Sequence, residues 1–554
     1  MRKMLRCMVI AAGFLAAGVF CHAYPVGRSL PLDKLQKEAD VVFKGTVISS
    51  AETKDPWFTV PNYPVLSTEI RVISIIKGDA PSGKAVFLHY GRQPKDLPGM
   101  TGDRSVRVVY LGPAPQLYDL KNGRTYILFA KRTDKPDVYR QLWLNAKMKQ
   151  DQGAVLAADE QPIPQGQPLK DILWRELEGL LKGSNLEDVP VAIRQLDEMS
   201  EGQGVPDGSR GLDDYDRGRV MESVRPYLFH QNAGIVKAAL AAFAEDSPYA
   251  NEHYGAQAWL VAVGKGTIRG YSGWSKPRNN SSARAHWKDL AALGDGKGNK
   301  DLRATAVLSL GRAGEPAIFP CAVRWTQDPE PVIRKAAAIL LSDFPSDETF
   351  QFLTQLAKDP APEVRLGVAR AVGFGQLEKV IPLLEALLKD EDSQVSTAAA
   401  LSLVSFDTAK VERILKANME NPDFKSVFVN ALAESNPDPY LDSLAEIIEK
   451  RLQPNRFWGG RIPCASSWDI LFKYMQSRSA DDLKSDKLSR YLDALERMQG
   501  YGSSEPRDLY ALYLQRGLTD RAGKFREECR KSFTYDIEYF FKMVDKDPGG
   551  YTRQ

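Results

Sequence analysis

The residues best equipped for chemistry are few and scattered. Beyond residue 23 the chain has four histidines, His89, His230, His253 and His286. None stands in a His-Glu-x-x-His order, and none is spaced with cysteine as a zinc site requires. Gly270-Tyr271-Ser272-Gly273 misses the last glycine of a nucleophile elbow by one position. Gly202-Gln203-Gly204 lacks the preceding strand and third glycine of a dinucleotide fingerprint, and no Walker-type phosphate loop is present. Asp295-Gly296-Lys297-Gly298-Asn299-Lys300-Asp301 hints at a calcium loop. Lys297 occupies a ligand position and no acid closes the loop, so a surface turn is expected. Cys321, Cys464 and Cys529 are an odd, sparse set rather than a disulfide framework. Three buried, inert thiols are expected, with one bridge as the alternative. The sequence therefore assigns no catalytic residue, cofactor or metal, and points away from an enzyme.

Two loops carry the residue types that dominate binding hot spots, aromatics with arginine among glycines. The first, 270–280, holds Tyr271, Trp274, Lys276 and Arg278; the second reads Arg456-Phe457-Trp458-Gly459-Gly460-Arg461. Tyr271, Trp274, Arg278, Arg456, Phe457, Trp458 and Arg461 are the candidate partner contacts, and the partner class is protein or peptide. The plainer alternative tucks Trp274 and Trp458 beneath a helical core.

These loops must be held by larger elements. The chain has 554 residues and a formal charge of +3, too long for one core. Residues 1–23 begin with Arg2, Lys3 and Arg6, continue with an apolar run over 8–20 and end on Cys21-His22-Ala23. This is the pattern of a cleaved export signal, with the mature chain starting at Tyr24. No later run is long and apolar enough for a membrane-spanning helix. Removing the three positive charges leaves a neutral remainder, which argues against a nucleic-acid partner.

Residues 24–150 read as β. Strands are expected over 39–50, 68–76, 85–90, 106–111, 125–131 and 139–144, after a short helix over 32–38. Asn122-Gly123 supplies a tight turn. Short strands in this number predict a closed or nearly closed barrel, because closure removes sheet edges. Residues 150–167 lack a pattern and read as a spacer. Helices follow over 169–181 and 186–199, then a Gly/Asp-rich loop over 201–219.

The strongest signal is an internal repeat. Asp328-Pro329-Glu330-Pro331-Val332-Ile333-Arg334 recurs as Asp359-Pro360-Ala361-Pro362-Glu363-Val364-Arg365 and as Asp390-Glu391-Asp392-Ser393-Gln394-Val395-Ser396, 31 residues apart each time. Ile333, Ala337 and Leu341 align with Val364, Val368 and Val372, and with Val395, Ala399 and Leu403. These positions are i, i+4 and i+8, one face of a helix. Phe319, Ala322 and Trp325 align likewise with Phe350, Leu353 and Leu356, and with Ile381, Leu384 and Leu387. Each unit is thus a bulky first helix and an Ala-rich second helix, joined by a turn in which Asp caps free N–H groups and Pro tolerates the first helical turn. One pair cannot bury both faces; stacked pairs can. The phase extends back to Leu302, Arg303, Ala306 and Leu310. It extends forward only loosely, with Asn421 in the Asp position. An earlier second-type helix is expected over 232–245. Helices without the period are expected over 441–452, 467–476, 483–498, 509–514 and 524–544.

The repeat resembles HEAT repeats, in the short form shared with bilin lyase-type proteins. The resemblance implies pairing between units by the Asp and the Arg six residues later, as in Asp328–Arg334 and Asp359–Arg365. More weakly, Ala39-Asp40-Val41-Val42-Phe43-Lys44-Gly45-Thr46-Val47, Ile75-Ile76-Lys77-Gly78-Asp79 and Tyr126-Ile127-Leu128-Phe129-Ala130 resemble bacterial netrin-like domains, OB-fold relatives of the tissue inhibitors of metalloproteinases. Those inhibitors place an N-terminal cysteine on the protease zinc. Here the expected start is Tyr24-Pro25, and residues 24–320 contain no cysteine.

The combined expectation is a multidomain α+β chain: signal peptide 1–23, netrin-like or OB-like barrel 24–150, linker 151–225, HEAT-like solenoid 226–450 and helical cap 451–554. Its expected function is that of an exported scaffold, periplasmic or secreted, which binds protein or peptide. A bilin lyase-like enzyme and a protease inhibitor are the alternatives.

Overall fold

The structure is a computed structural model that describes residues 32–58, 64–79, 83–91, 117–142, 153–164, 166–200, 217–244, 281–375, 378–450, 467–497, 504–532 and 537–551. The chain divides into two compact units, 1–247 with 279–313 and 248–278 with 314–554.

The first unit opens with helix α1 (Leu32–Glu38) and strands β1 (Val41–Thr53), β2 (Val65–Lys77), β3 (Lys84–Gly91), β4 (Leu117–Tyr118), β5 (Thr125–Arg132), β6 (Val138–Gln141) and β7 (Ala154–Leu156). Strand order runs β1-β2-β3-β6-β5 and closes by antiparallel pairing of β5 with β1, from Val41 opposite Ala130 to Thr46 opposite Thr125. The expected small barrel is present, with β4 and β7 as additions. β3 and β6 are parallel; β1–β2, β2–β3 and β5–β6 are antiparallel. The strand expected over 106–111 lies outside the described residues. Gly45 lets β1 and β2 close on one another, since a Cβ there would sit 2.5 Å from Ile70 Cγ2. Gly123 adopts φ 75° in the turn before β5, as the Asn-Gly pair requires.

Two expectations change. Val41–Val47 are all buried rather than alternating, because the outer face of β1 is covered by residues that follow β7. The spacer expected over 150–167 supplies β7, which pairs with Tyr126–Leu128 of β5. The β7 edge is sealed by one side chain: Gln195 Oε1 accepts from Leu156 N and its Nε2 donates to Ala154 O, both at 3.3 Å. The unit continues through α2 (Leu169–Lys182), α3 (Val189–Ser200), α4 (Arg217–Val224), α5 (Ala233–Ala244), α6 (Ser281–Ala285), α7 (Trp287–Asp295) and α8 (Lys300–Ser309). Of the loop expected over 201–219, residues up to 216 lie outside the described set and Arg217 already begins α4.

The second unit carries the helix pairs α9 (Phe319–Trp325) and α10 (Pro331–Leu341), α11 (Asp347–Leu356) and α12 (Pro362–Gly375), α13 (Ile381–Leu387) and α14 (Ser393–Leu403), α15 (Thr408–Asn418) and α16 (Lys425–Ser435). The second helices α10, α12 and α14 pack side by side. Small residues allow this: a Cβ on Gly367 would lie 2.9 Å from Lys335 Cγ and 3.1 Å from Lys335 O. Ser402 Oγ donates to Ala369 O at 2.7 Å, tying α14 to α12. The regular contact fades between α14 and α16. There the 31-residue series Ala336, Gly367, Ala398 reaches the larger Val429.

Beyond α17 (Leu441–Glu449) come α18 (Ser467–Gln476), α19 (Ala480–Leu483), α20 (Asp486–Glu496), α21 (Ser504–Gln515), α22 (Thr519–Ser532) and α23 (Ile537–Lys546). The single helical region expected over 524–544 is two helices. A separate core centred on Trp468, Phe472, Tyr513 and Phe541 holds them. Among the described residues, no helix is long and apolar enough to cross a membrane.

Candidate functional site: the repeat stack

The Asp-Pro turns build a ladder of guanidinium forks. In each turn the Asp carboxylate first accepts an N–H two residues on, from Glu330, Ala361 or Asp392, at 2.9 Å. Six residues beyond the first Asp, Arg334 Nη1 donates back to Asp328 O at 2.8 Å, while its Nε and Nη2 grip the Asp359 carboxylate at 2.8 and 2.9 Å. Arg365 repeats the arrangement one unit on, with Asp359 O at 3.0 Å and the Asp390 carboxylate at 2.7 and 2.9 Å. Each arginine therefore bridges two units, but its carboxylate partner is the Asp of the next turn, 25 residues on, rather than the Asp six residues before it, which offers only its carbonyl. Burial pushes the Asp359 and Asp390 carboxyls up, but the arginine forks and turn N–H groups outweigh it and leave both below the ordinary range. The ladder stops where Ser396 replaces arginine, its Oγ donating to Ser393 O instead. These forks are fully engaged and hold the stack; they offer no open ligand site.

The other chemistry-bearing residues are equally occupied. Lys44 is 0% exposed, and its ammonium donates to Glu176 Oε1 at 2.9 Å, Asp159 Oδ1 at 3.0 Å and Gln161 O at 3.0 Å. Glu160 accepts from Thr46 at 2.7 Å and Arg71 at 2.6 Å. Together these bonds strap residues 157–163 across β1 and β2. Sequence reasoning missed the cluster; the available signal was a lysine in the apolar run Val41-Val42-Phe43-Lys44. The expected surface turn at 295–301 is present, with Asn299 Oδ1 accepting from Asp301 N and Leu302 N as the cap of α8. No group of metal-binding side chains occurs among the described residues. His230 Nδ1 accepts from Asn232 N, His286 lies 3.9 Å from Glu222, and His253 lies outside the described set. Cys529 is buried and its thiol is pushed up to about 12 by that burial. Cys321 is only half-buried, against the expectation of burial, because it sits near the outer side of the short helix α9. Cys464 lies outside the described residues, as do Tyr271, Trp274, Arg278, Arg456, Phe457, Trp458 and Arg461.

Equivalent positions on the second helices line up in two rows, partly open to solvent. Val332, Glu363 and Gln394 occupy equivalent positions on α10, α12 and α14, and Lys335, Leu366 and Thr397 form the next row. Glu363 and Gln394 are exposed; the others are half-buried.

Against known families, residues 289–373 and 350–436 match the HEAT repeat model. The stack is made of HEAT repeats. Structures similar to this chain include the complex of CpcE and CpcF of phycocyanin lyase from a Nostoc species, at 16% identity and TM-score 0.27, covering 50% of this chain and 92% of that one. A Kap121p mutant shares 12% identity at TM-score 0.35, over 69% of this chain and 46% of its own. A designed armadillo repeat protein shares 16% at TM-score 0.24, over 42% and 98%. Comparison with curated proteins finds no significant match.

Proposed function

We propose that this chain is an exported interaction protein that holds a protein or peptide partner on the outer rows of its second helices. The observation that carries this reading is the repeated, rigidly stitched presentation of equivalent positions on α10, α12 and α14. A stack of this kind supplies an extended binding surface. Charge adds direction: residues 289–436 hold 16 Lys and Arg against 21 Asp and Glu, which favours a partner with a basic contact face. The aromatic-arginine loops at 270–280 and 456–461 are further proposed contacts. The barrel order β1-β2-β3-β6-β5, closed on β1 with β3 and β6 parallel, supports the netrin-like or OB-like reading of 24–150. The export reading rests on the basic, then apolar, then small-residue pattern of 1–23.

The test is cross-linked capture by the full chain in the envelope fraction of its native host. Enrichment of one protein over an unrelated exported control, weakened at high salt, is expected. No enrichment contradicts the scaffold reading, and a coloured, pigment-carrying preparation favours a lyase instead. Replacing Trp274 and Trp458 with Ala separates the loops' roles: lost stability with intact capture would make them structural.

A further inference from the structure

A polar row crosses three neighbouring strands of the barrel. His89 of β3 is 0% exposed, and its Nδ1 lies 3.1 Å from Tyr90 O. A carbonyl only accepts, so Nδ1 carries the proton and Nε2 is bare. Nε2 lies 2.8 Å from Thr68 Oγ1 on β2, so Thr68 donates to it. Ser50 Oγ of β1 lies 2.8 Å from Thr68 Oγ1 and must in turn donate to Thr68. Thr68 is 0% exposed, whereas Ser50 is exposed. The row thus leads from solvent to a buried neutral imidazole.

The surroundings of that imidazole are apolar. Its ring stacks on Phe87 at 5.6 Å between centroids and tilts against Tyr118 of β4 at 5.8 Å. The groups facing it are Thr68 from β2, Phe87 and the Tyr90 carbonyl from β3, and Tyr118 from β4. Among the described residues no carboxylate or cation acts on it. Burial drives its pKa down, against partial support from the Tyr90 carbonyl, to about 4.

We propose that Ser50, Thr68 and His89 form an acid-operated latch, in which a proton passed along the row to His89 releases β4 from β3. The transfer balances. Hydronium gives a proton to Ser50 Oγ, Ser50 passes its own proton to Thr68, and Thr68 passes its own to His89 Nε2. Both hydroxyls end protonated with their direction reversed, and the added charge rests on the imidazolium. That charge sits against Tyr118, which belongs to the shortest pairing in the sheet: Leu117 opposite Tyr90 and Tyr118 opposite Gly91. Tyr118 is also wedged against the start of β7, since a Cβ on Gly153 would lie 1.8 Å from its hydroxyl oxygen. Opening there lets the imidazolium reach water, where its ordinary pKa returns. Opening is therefore favoured by close to tenfold for each pH unit between about pH 6 and 4.5, and levels off toward about 300-fold only below pH 4.

Hydrogen exchange of the full chain, read by mass spectrometry from pH 7.5 to 4.5 and corrected for intrinsic rates, tests the latch. Peptides covering 84–91 and 117–126 should show opening constants rising about 40-fold between pH 6.5 and 4.5. The repeat peptides 331–341 and 362–375 should stay flat. In His89→Gln the rise should vanish. A flat wild-type profile over β3 and β4, or equal loosening of barrel and repeats, overturns the proposal. If His89→Gln does not fold, the wild-type profile alone decides.

Discussion

Arg365 is the residue on which two repeats depend at once. Its side chain is 11% exposed and its partner Asp390 is 7% exposed. Removing it leaves Asp390 without its cation and the Asp359 carbonyl without a donor. Arg365→Ala should cost about 3 kcal/mol in denaturant unfolding, the penalty of stranding a buried charge. Arg365→Lys should recover only part, since an ammonium cannot fork onto both carboxylate oxygens. Arg413, 74% exposed beside Glu385, should tolerate Ala within about 0.5 kcal/mol. The ladder also has a pH signature. Asp359 and Asp390 sit below their ordinary carboxyl range in the fold. Their contribution is therefore complete above the ordinary value of 3.8 and is lost as pH falls through their lowered values. Acid titration of wild type against Arg365→Ala should show the two stabilities converging below pH 3.8, and a constant gap would contradict the pairing. This layer was half legible. The Asp and Arg spacing stood in the repeat, but the strap bonds of Lys44 reach residues 115 and 132 positions away. Only folding brings those carboxylates to the ammonium, and no local pattern announces them.

At the scale of elements, the second helices show why small residues recur. Gly367 faces the backbone of Lys335 closely enough that a branched side chain must push α12 off α10. Gly367→Val should cost about 2 kcal/mol by overpacking, seen as a lower unfolding midpoint with an unchanged denaturant slope. Gly367→Ala should cost less, because the gain in helix propensity of about 1 kcal/mol offsets the close contact. Helix period and Asp-Pro punctuation made α9 to α14 readable from sequence, since both are local. The longer barrel strands, β1 included, were readable for the same reason; only the expected alternation of β1 failed, because both its faces are covered, and the two-residue β4 was not anticipated. β7 escaped notice because three residues cannot display a period and its pairing with β5 is non-local.

For the whole molecule, the small net charge of +3 hides segregation. Residues 24–150 hold 20 Lys and Arg against 12 Asp and Glu, while the repeats are acidic. Net charge alone argued only against a large nucleic-acid footprint; its distribution gives the proposed partner a sign. The export reading predicts that N-terminal sequencing of protein from its native host begins at Tyr24. A start at Met1 would contradict it. Repeat stacks leave function written in their surfaces rather than in a motif, so the fold was far more legible than the partner. The most direct measurement is therefore equilibrium binding of the captured partner to the full chain carrying Glu363→Arg and Gln394→Arg, both at exposed positions on successive second helices. The account predicts at least a tenfold loss of affinity with the unfolding midpoint unchanged. Unaltered affinity in a folded double variant would contradict it.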